Sequence, residues 1–252
     1  MDLDKHRQAA SDFDGSGDAG DCSPPPVLYA PLVARIASAK EVIAQVVFDG
    51  ATLMVGGFGL VGKPLTLVRE LNASPFRDLT ILSNNLGEPG KGLGETLRLG
   101  KVRRAIGSYF TSNPDVGKAY LEGRLQVTLL PQGTFVEAMR AAGAGLGGFY
   151  TPTGVGTTLA EGKETRVLRG RQYVLEEPLD ADVALVRAYR ADRLGNLVYW
   201  KTARNFNPVM ATAARTVVAE VDEIVEPGVL DPEAIVTPHL YVDWLVVAEE
   251  RL

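Results

Sequence analysis

The chain has 252 residues, 46% of them hydrophobic and 23% charged, with a formal net charge of −5. That length and apolar content are ample for one substantial core, while the acidic balance argues against nucleic acid or an anionic membrane surface as a partner, since both attract basic patches. A single cysteine, Cys22, excludes an intrachain disulfide, and with only His6 and His239 no histidine-rich metal site is expected.

Residues 1–26 carry Asp2, Asp4, Asp12, Asp14, Asp18 and Asp21, then the run Pro24-Pro25-Pro26. So few apolar side chains cannot offset the entropy of ordering, and a disordered acidic, proline-rich tail is expected. The segment lacks the apolar stretch of a signal peptide. Nowhere does the chain approach the ~20 apolar residues of a membrane helix, so a cytoplasmic location is expected. One folded domain is expected over 27–252.

Residues 32–47 show a helical period through Leu32, Ile36, Ile43 and Val47. Asp49-Gly50 makes a turn, and Ala51–Val55 reads as a short buried strand. Glycines follow at once, then a helix over Leu65–Leu71. Leu79–Leu82 predicts a second strand, ending in Ser83-Asn84-Asn85. Further strands are expected at Ala105–Phe110, Leu125–Leu130, Val183–Tyr189, Leu197–Tyr199, Thr216–Val221 and Tyr241–Val247, with helical segments between several of them. Strand, crossover helix, strand, repeated, predicts an α/β fold with a largely parallel central sheet flanked by helices.

The loop from Gly56 to Pro64 resembles two nucleotide motifs and completes neither. Gly57, Gly59 and Gly62 satisfy G-x-G-x-x-G, yet the second strand ends in Asn84-Asn85 rather than the acidic residue that binds ribose hydroxyls. Gly57 through Lys63 begin a P-loop, yet Pro64 stands where a hydroxyl for magnesium is required. What remains is a backbone that a ligand can approach closely. The helix that follows offers free N–H groups suited to an anionic or carbonyl-bearing ligand. A tight turn with no ligand is an equally good reading of the loop alone.

Asn84-Asn85 and Pro131-Gln132-Gly133 each close a predicted strand. Carboxamides there offer donors and acceptors without charge, and a glutamine N–H aimed into a cleft stabilises a developing oxyanion. Each motif read alone is more simply a turn. Ligands of open parallel sheets bind beyond the C-terminal ends of the strands, and all three features occupy such ends, so they are expected to meet on one rim. The glycine-dense run Gly143–Thr157 suits close backbone approach to a ligand or to another protein chain.

In order, Gly56-Gly57-Phe58-Gly59, Ser83-Asn84-Asn85, Pro131-Gln132-Gly133, the glycine-dense run, Ala160 to Arg166, Tyr173 to Glu176, Lys201 to Asn207, Ala219 to Gly228, Leu230 to Glu233 and Thr237-Pro238 resemble the A (alpha) subunit of family I CoA-transferases, from about Leu28 to Val247. This resemblance implies the CoA-transferase fold. It implies transfer of CoA from succinyl-CoA to a 3-oxo acid, acetoacetate or 3-oxoadipate, as in ketone-body or aromatic catabolism. A glutamate carboxylate attacks the thioester and passes through a glutamyl-CoA thioester, one hard exchange split into easier steps. In the family that glutamate lies in a Ser-Glu-Asn-Gly segment of the B subunit. The segment is absent from this sequence, so a B partner is implied, in a heterodimer or heterotetramer.

The resemblance also assigns roles. Gln132 matches the oxyanion-hole glutamine, Asn84 and Asn85 the pair near the CoA and acyl groups, and Gly56, Gly57, Phe58 and Gly59 the loop lining the cleft. CoA and acyl-CoA are substrates, and neither cofactor nor metal is implied. Departures stand at Ser112, where many relatives carry an acidic residue, and at Leu86, Lys63 and His239; Leu86 and Lys63 are expected near the cleft, where they bear on acyl preference or phosphate contacts. Two other readings of the same fold are an acyl-CoA hydrolase and a non-catalytic acyl-CoA-binding protein.

Overall fold

The computed structural model describes residues 33–252; the acidic, proline-rich segment lies outside them. A mainly parallel sheet runs through the centre. Its strands are β1 (Arg35–Ile36), β2 (Thr52–Val55), β3 (Leu79–Leu82), β4 (Val102–Gly107), β5 (Gln126–Leu129), β9 (Ala181–Asp192), β10 (Leu197–Val198), β11 (Ala214–Val225) and β12 (Trp244–Val247). The order across the sheet is β1-β12-β11-β9-β2-β3-β4-β5. Every pairing along it is parallel, and β10 joins β9 antiparallel.

Helices cover both faces because strand side chains alternate. On β2, Leu53 and Val55 face one apolar cluster and Met54 the other. The first cluster takes the apolar sides of α1 (Ala39–Val46), α2 (Leu65–Ala73), α3 (Leu93–Arg98) and α4 (Pro114–Leu121), through residues such as Ile43, Leu67, Leu97 and Val116. The second takes α5 (Gln132–Gly143) and α6 (Asn207–Ala211), through Phe135, Met139 and Met210. A separate antiparallel sheet is built from β6 (Phe149–Thr151), β7 (Thr165–Leu168) and β8 (Arg171–Glu176), in the order β6-β8-β7.

The architecture is the one expected, with local corrections. The helix expected over 32–47 begins only at Ala39. Ser38 caps it and Glu41 closes the capping box, while Arg35–Ile36 pair with Trp244–Leu245 at the sheet edge. The strand expected at Ala105–Phe110 starts earlier and stops at Gly107, because the Ser108 and Tyr109 N–H groups turn to donate to the Asn84 carbonyl, at 3.2 and 3.0 Å. Tyr241 belongs to a short 3-10 turn, His239–Tyr241, and the last strand starts at Trp244. The small antiparallel sheet was not expected; part of the glycine-dense run, Phe149–Thr151, pairs with β8 inside it.

Candidate active site

β2, β3, β4 and β5 are parallel neighbours, so their C-terminal ends fall on one edge of the sheet. There a cavity of about 460 Å³ opens, lined by Phe58 and Gly59 after β2, Asn85, Gly87 and Glu88 after β3, Ser108, Tyr109 and Ser112 after β4, and Gln132 after β5. Of the residues assigned site roles from the sequence, Phe58, Gly59, Asn85 and Gln132 line it. Gly56, Gly57 and Asn84 are buried behind it. Ser108, Tyr109, Gly87 and Glu88 were not singled out; their position just past a strand end is the same signal that marked the asparagines.

The carboxamides form a relay. Asn85 Nδ2 donates to Asn84 Oδ1 at 3.1 Å, and the Gly87 N–H donates to Asn85 Oδ1 at 3.0 Å. Asn84 Nδ2 donates to Ser108 Oγ at 2.9 Å and, more weakly, to Gln132 Oε1 at 3.4 Å. Gln132 thus has its oxygen engaged, and among the described residues its Nε2 has no acceptor. Gln132 is the first residue of α5, which fixes its backbone at the cavity edge. The site is largely neutral. Glu88 is the carboxylate on its lining, and it is solvated and paired with Lys91 at 3.2 Å.

Two asparagines far along the chain hold the glycine loop. Asn205 Oδ1 accepts from the Gly57 N–H at 3.1 Å, and its Nδ2 donates to the Val61 carbonyl at 3.0 Å. Asn207 fills the gap where β2 parts from β9: its Oδ1 accepts from the Arg187 N–H at 2.8 Å, and its Nδ2 donates to the Gly62 carbonyl at 3.0 Å. This close approach requires glycine at 56, because a Cβ there would lie 1.8 Å from Asn207 Oδ1. Gly57 has φ +107°, a backbone that favours glycine, and a Cβ there would meet Lys63. The Phe58 and Phe206 rings stack with centroids 6.4 Å apart, seating the loop from the other side.

Three expectations need correction. The N-terminus of α2 is not free for a ligand: the Leu67 N–H donates to Oε2 of buried Glu220, on β11, at 3.0 Å. Burial holds the Glu220 carboxyl above its ordinary range, opposed by that N–H and by the Arg187 charge. Leu86 does not line the cleft, because its side chain is fully buried in the first apolar cluster. Lys63 makes no surface contact of the kind a phosphate needs. It is 2% exposed, its Nζ donates to Ser83 Oγ at 3.2 Å, and burial pushes its pKa down to about 7. Ser112 does line the cavity. His239 lies elsewhere, its N–H donating to Asn196 Oδ1 at 2.9 Å.

Among the described residues no helix is long and apolar enough to cross a membrane, and no cluster of three or more His, Cys, Asp or Glu residues has the geometry to hold a metal ion. A glycine loop clamped beside a neutral carboxamide relay, at the carboxyl edge of a parallel sheet, is the setting of an α/β enzyme site, and its neutral donors suit a carbonyl centre. Known proteins make the class specific. A family model described as Coenzyme A transferase matches residues 36–248. The A subunit of the succinyl-CoA:3-ketoacid coenzyme A transferase of Xanthomonas campestris pv. campestris (strain B100) is 52% identical over 213 residues, 84% of this chain and 88% of that one. The A subunit of the 3-oxoadipate CoA-transferase of Pseudomonas putida is 50% identical over 213 residues, 84% of this chain and 90% of that one. An acyl-CoA transferase from Escherichia coli O157:H7, solved as a thioester complex with CoA, shares the fold with a TM-score of 0.76 at 22% identity. That match covers 90% of this chain and 48% of the other, so the chain spans about half the length of that structure. The chain belongs to the coenzyme A transferase family.

Proposed function

We propose that this chain is the A (alpha) subunit of a heteromeric CoA-transferase that moves CoA from succinyl-CoA to a 3-oxo acid, acetoacetate or 3-oxoadipate. The observation that carries the reading is Gln132: it lines the cavity, its oxygen accepts from Asn84, and among the described residues its Nε2 has no acceptor, as an oxyanion donor requires. The two relatives named as A subunits, at 52% and 50% identity, supply the reaction class.

In this reading the nucleophile is a glutamate in a Ser-Glu-Asn-Gly segment of a partner B subunit. Its carboxylate attacks the thioester carbonyl, and the C–S bond breaks to give an acyl–glutamyl anhydride and CoA thiolate. The thiolate returns to the glutamyl carbonyl, releasing the first acid and leaving a glutamyl-CoA thioester. The acceptor carboxylate then attacks that thioester, and CoA is carried over through a second anhydride. Gln132 Nε2 donates to the carbonyl oxygen as it gains charge, Asn84, itself held by Ser108, orients the glutamine, and the clamped loop keeps Phe58 against the acyl chain. CoA and its acyl esters are substrates, and the assembly works in the cytoplasm as a heterodimer or heterotetramer.

The test is to assay the purified chain alone and mixed with a Ser-Glu-Asn-Gly-bearing partner, using succinyl-CoA with acetoacetate or 3-oxoadipate. Acyl-CoA formation only in the mixture is expected. Full transfer by the chain alone overturns the reading, and CoA release without any acceptor acid points instead to a hydrolase.

A further inference from the structure

Lys63 is a buried amine for which, among the described residues, the fold supplies no counter-charge. Its stem leaves the glycine loop against Gly57, where a Cβ would lie 2.9 Å from Lys63 Cβ and 3.1 Å from its Cε. It passes Gly92, where a Cβ would lie 3.6 Å from Lys63 Cδ. The stem ends at Ser83, whose Oγ accepts from Nζ and itself donates to the Val55 carbonyl at 2.8 Å. The nitrogen therefore sits at the C-terminal end of β3, one residue before the Asn84-Asn85 relay, while its stem packs against Gly57, the neighbour of Phe58 on the cavity lining.

Most charged groups on the elements around it have other partners. Glu88 pairs with Lys91 on the turn after β3, Glu95 with Arg98 on α3, and Arg69 of α2 with Glu249 and Glu250, while Glu220 of β11 accepts from the Leu67 N–H and lies 3.7 Å from Arg187. Among the described residues no carboxylate lies within ion-pair distance of Lys63. Burying an ammonium without a partner is costly. A leucine or methionine would fill the same space at no such cost, so the charge calls for a role outside the fold itself.

We infer that Lys63 is a positioning residue whose ammonium, held at Ser83 just before the Asn84-Asn85 relay, draws in the carboxylate of the acceptor acid, so that acceptor binding and protonation of Lys63 favour each other. This rests on the transferase reading above. The charge acts through the Ser83 and Asn84-Asn85 segment rather than by contact, and it bears on capture of the anion more than on the bond-making steps. Burial has already brought the amine's titration down to about pH 7, so the coupling operates near neutrality. An anion entering the cavity shifts the amine toward its charged form by linkage.

The experiment uses the assembled enzyme with its partner chain. kcat and KM for the acceptor acid and for the acyl-CoA are measured between pH 6 and 9 for the wild type and Lys63→Met. In the wild type the acceptor KM is expected to rise about tenfold as pH rises through the Lys63 transition, the effect of one unit charge near a partly desolvated carboxylate. In Lys63→Met the acceptor KM is expected to be high and independent of pH across that range, with kcat changed less than about threefold. A Lys63→Met profile parallel to the wild type overturns the inference. Should Lys63→Met fail to assemble, calorimetry of acetoacetate binding to the wild-type complex near pH 7, in two buffers of different ionisation heat, decides the matter. Uptake of about half a proton per acceptor bound supports the coupling, and no uptake overturns it. A complex that transfers no CoA to any 3-oxo acid refutes the functional proposal instead, a result distinct from an active enzyme with a pH-independent KM.

Discussion

Replacing Asn207 by alanine tests how the glycine loop is held. Asn207 is fully buried, and its carboxamide bonds three backbone groups: the Arg187 N–H at 2.8 Å, the Gly62 carbonyl at 3.0 Å and the Ala203 carbonyl at 3.0 Å. Ala203 keeps a second donor, Asn205 Nδ2 at 3.1 Å, so Asn207→Ala deprives two buried groups of this partner, one N–H and one C=O. At about 1–3 kcal/mol for each buried group left unsatisfied, the expected loss is about 3–4 kcal/mol. For a domain of this size that is a fall in Tm of roughly 10 °C. Asn207→Asp keeps an acceptor for Arg187 but sets a carboxylate against two carbonyl oxygens, so it should do no better than alanine. Denaturant unfolding of each variant gives the loss directly, and limited proteolysis should show earlier cleavage within 56–63. A loss below about 1 kcal/mol for Asn207→Ala, or an aspartate variant as stable as the wild type, would refute the clamp.

Three further outcomes follow from the same geometry. Gln132→Ala in the assembled enzyme should lower kcat by roughly 10²–10³ with little change in the unfolding midpoint, as expected when one oxyanion donor is removed from the solvent-facing start of a helix; steady-state kinetics beside a melt separate the two effects. Glu88→Gln should leave transfer within about threefold of wild type, since this carboxylate is solvated and committed to Lys91; loss of all activity would place the nucleophile on this chain. The third outcome concerns stability against pH. Because burial lowers the folded-state pKa of Lys63 from 10.5 to about 7, the unfolded chain binds the extra proton between those values. Wild-type stability should therefore rise relative to Lys63→Met as pH increases from about 7 toward 10.5, by up to about 5 kcal/mol at 1.36 kcal/mol per unit. A stability difference between the two proteins that does not change over that window refutes the lowered pKa of the buried amine.

The strands that carry the rim were legible because each is short, apolar and followed at once by a break. Leu79–Leu82 has the bounds read from sequence, and its Asn84-Asn85 exit lies on the same sheet edge as the Gln132 exit of β5, one strand away across β4, because all three strands run parallel. Elements set by distant partners were not legible. Arg35–Ile36 sit inside a helical pattern and join the sheet only because β12, about two hundred residues later, offers them an edge. β7 is exposed along its whole length, so no alternation marks it as a strand. Asn205 and Asn207 stood out as part of a motif, but their bonds to Gly57, Val61 and Gly62 span about 145 residues, and no local pattern shows such a contact. Lys63 reads as a surface or phosphate-binding lysine until the Ser83 contact shows its nitrogen turned inward.

The α2 N-terminus, in a loop so close to two nucleotide motifs, is already engaged from within the fold. A helix start binds an anion through free N–H groups and the positive end of its dipole. Here that end is occupied from within by Glu220, whose carboxylate also lies 3.7 Å from buried Arg187, itself paired with Asp222. The positive end of the helix is thus satisfied on the side facing β11, away from the cavity. On the cavity side the loop presents Phe58 and Gly59, and the adjoining strands present carboxamides and hydroxyls. Such a surface suits a carbonyl that gains charge only as it reacts, because neutral donors stabilise the oxyanion without trapping the anionic ground state. Lys63 adds the loop's own positive charge at Ser83, the residue just before the relay, where it can attract an acid without becoming a contact that holds the product.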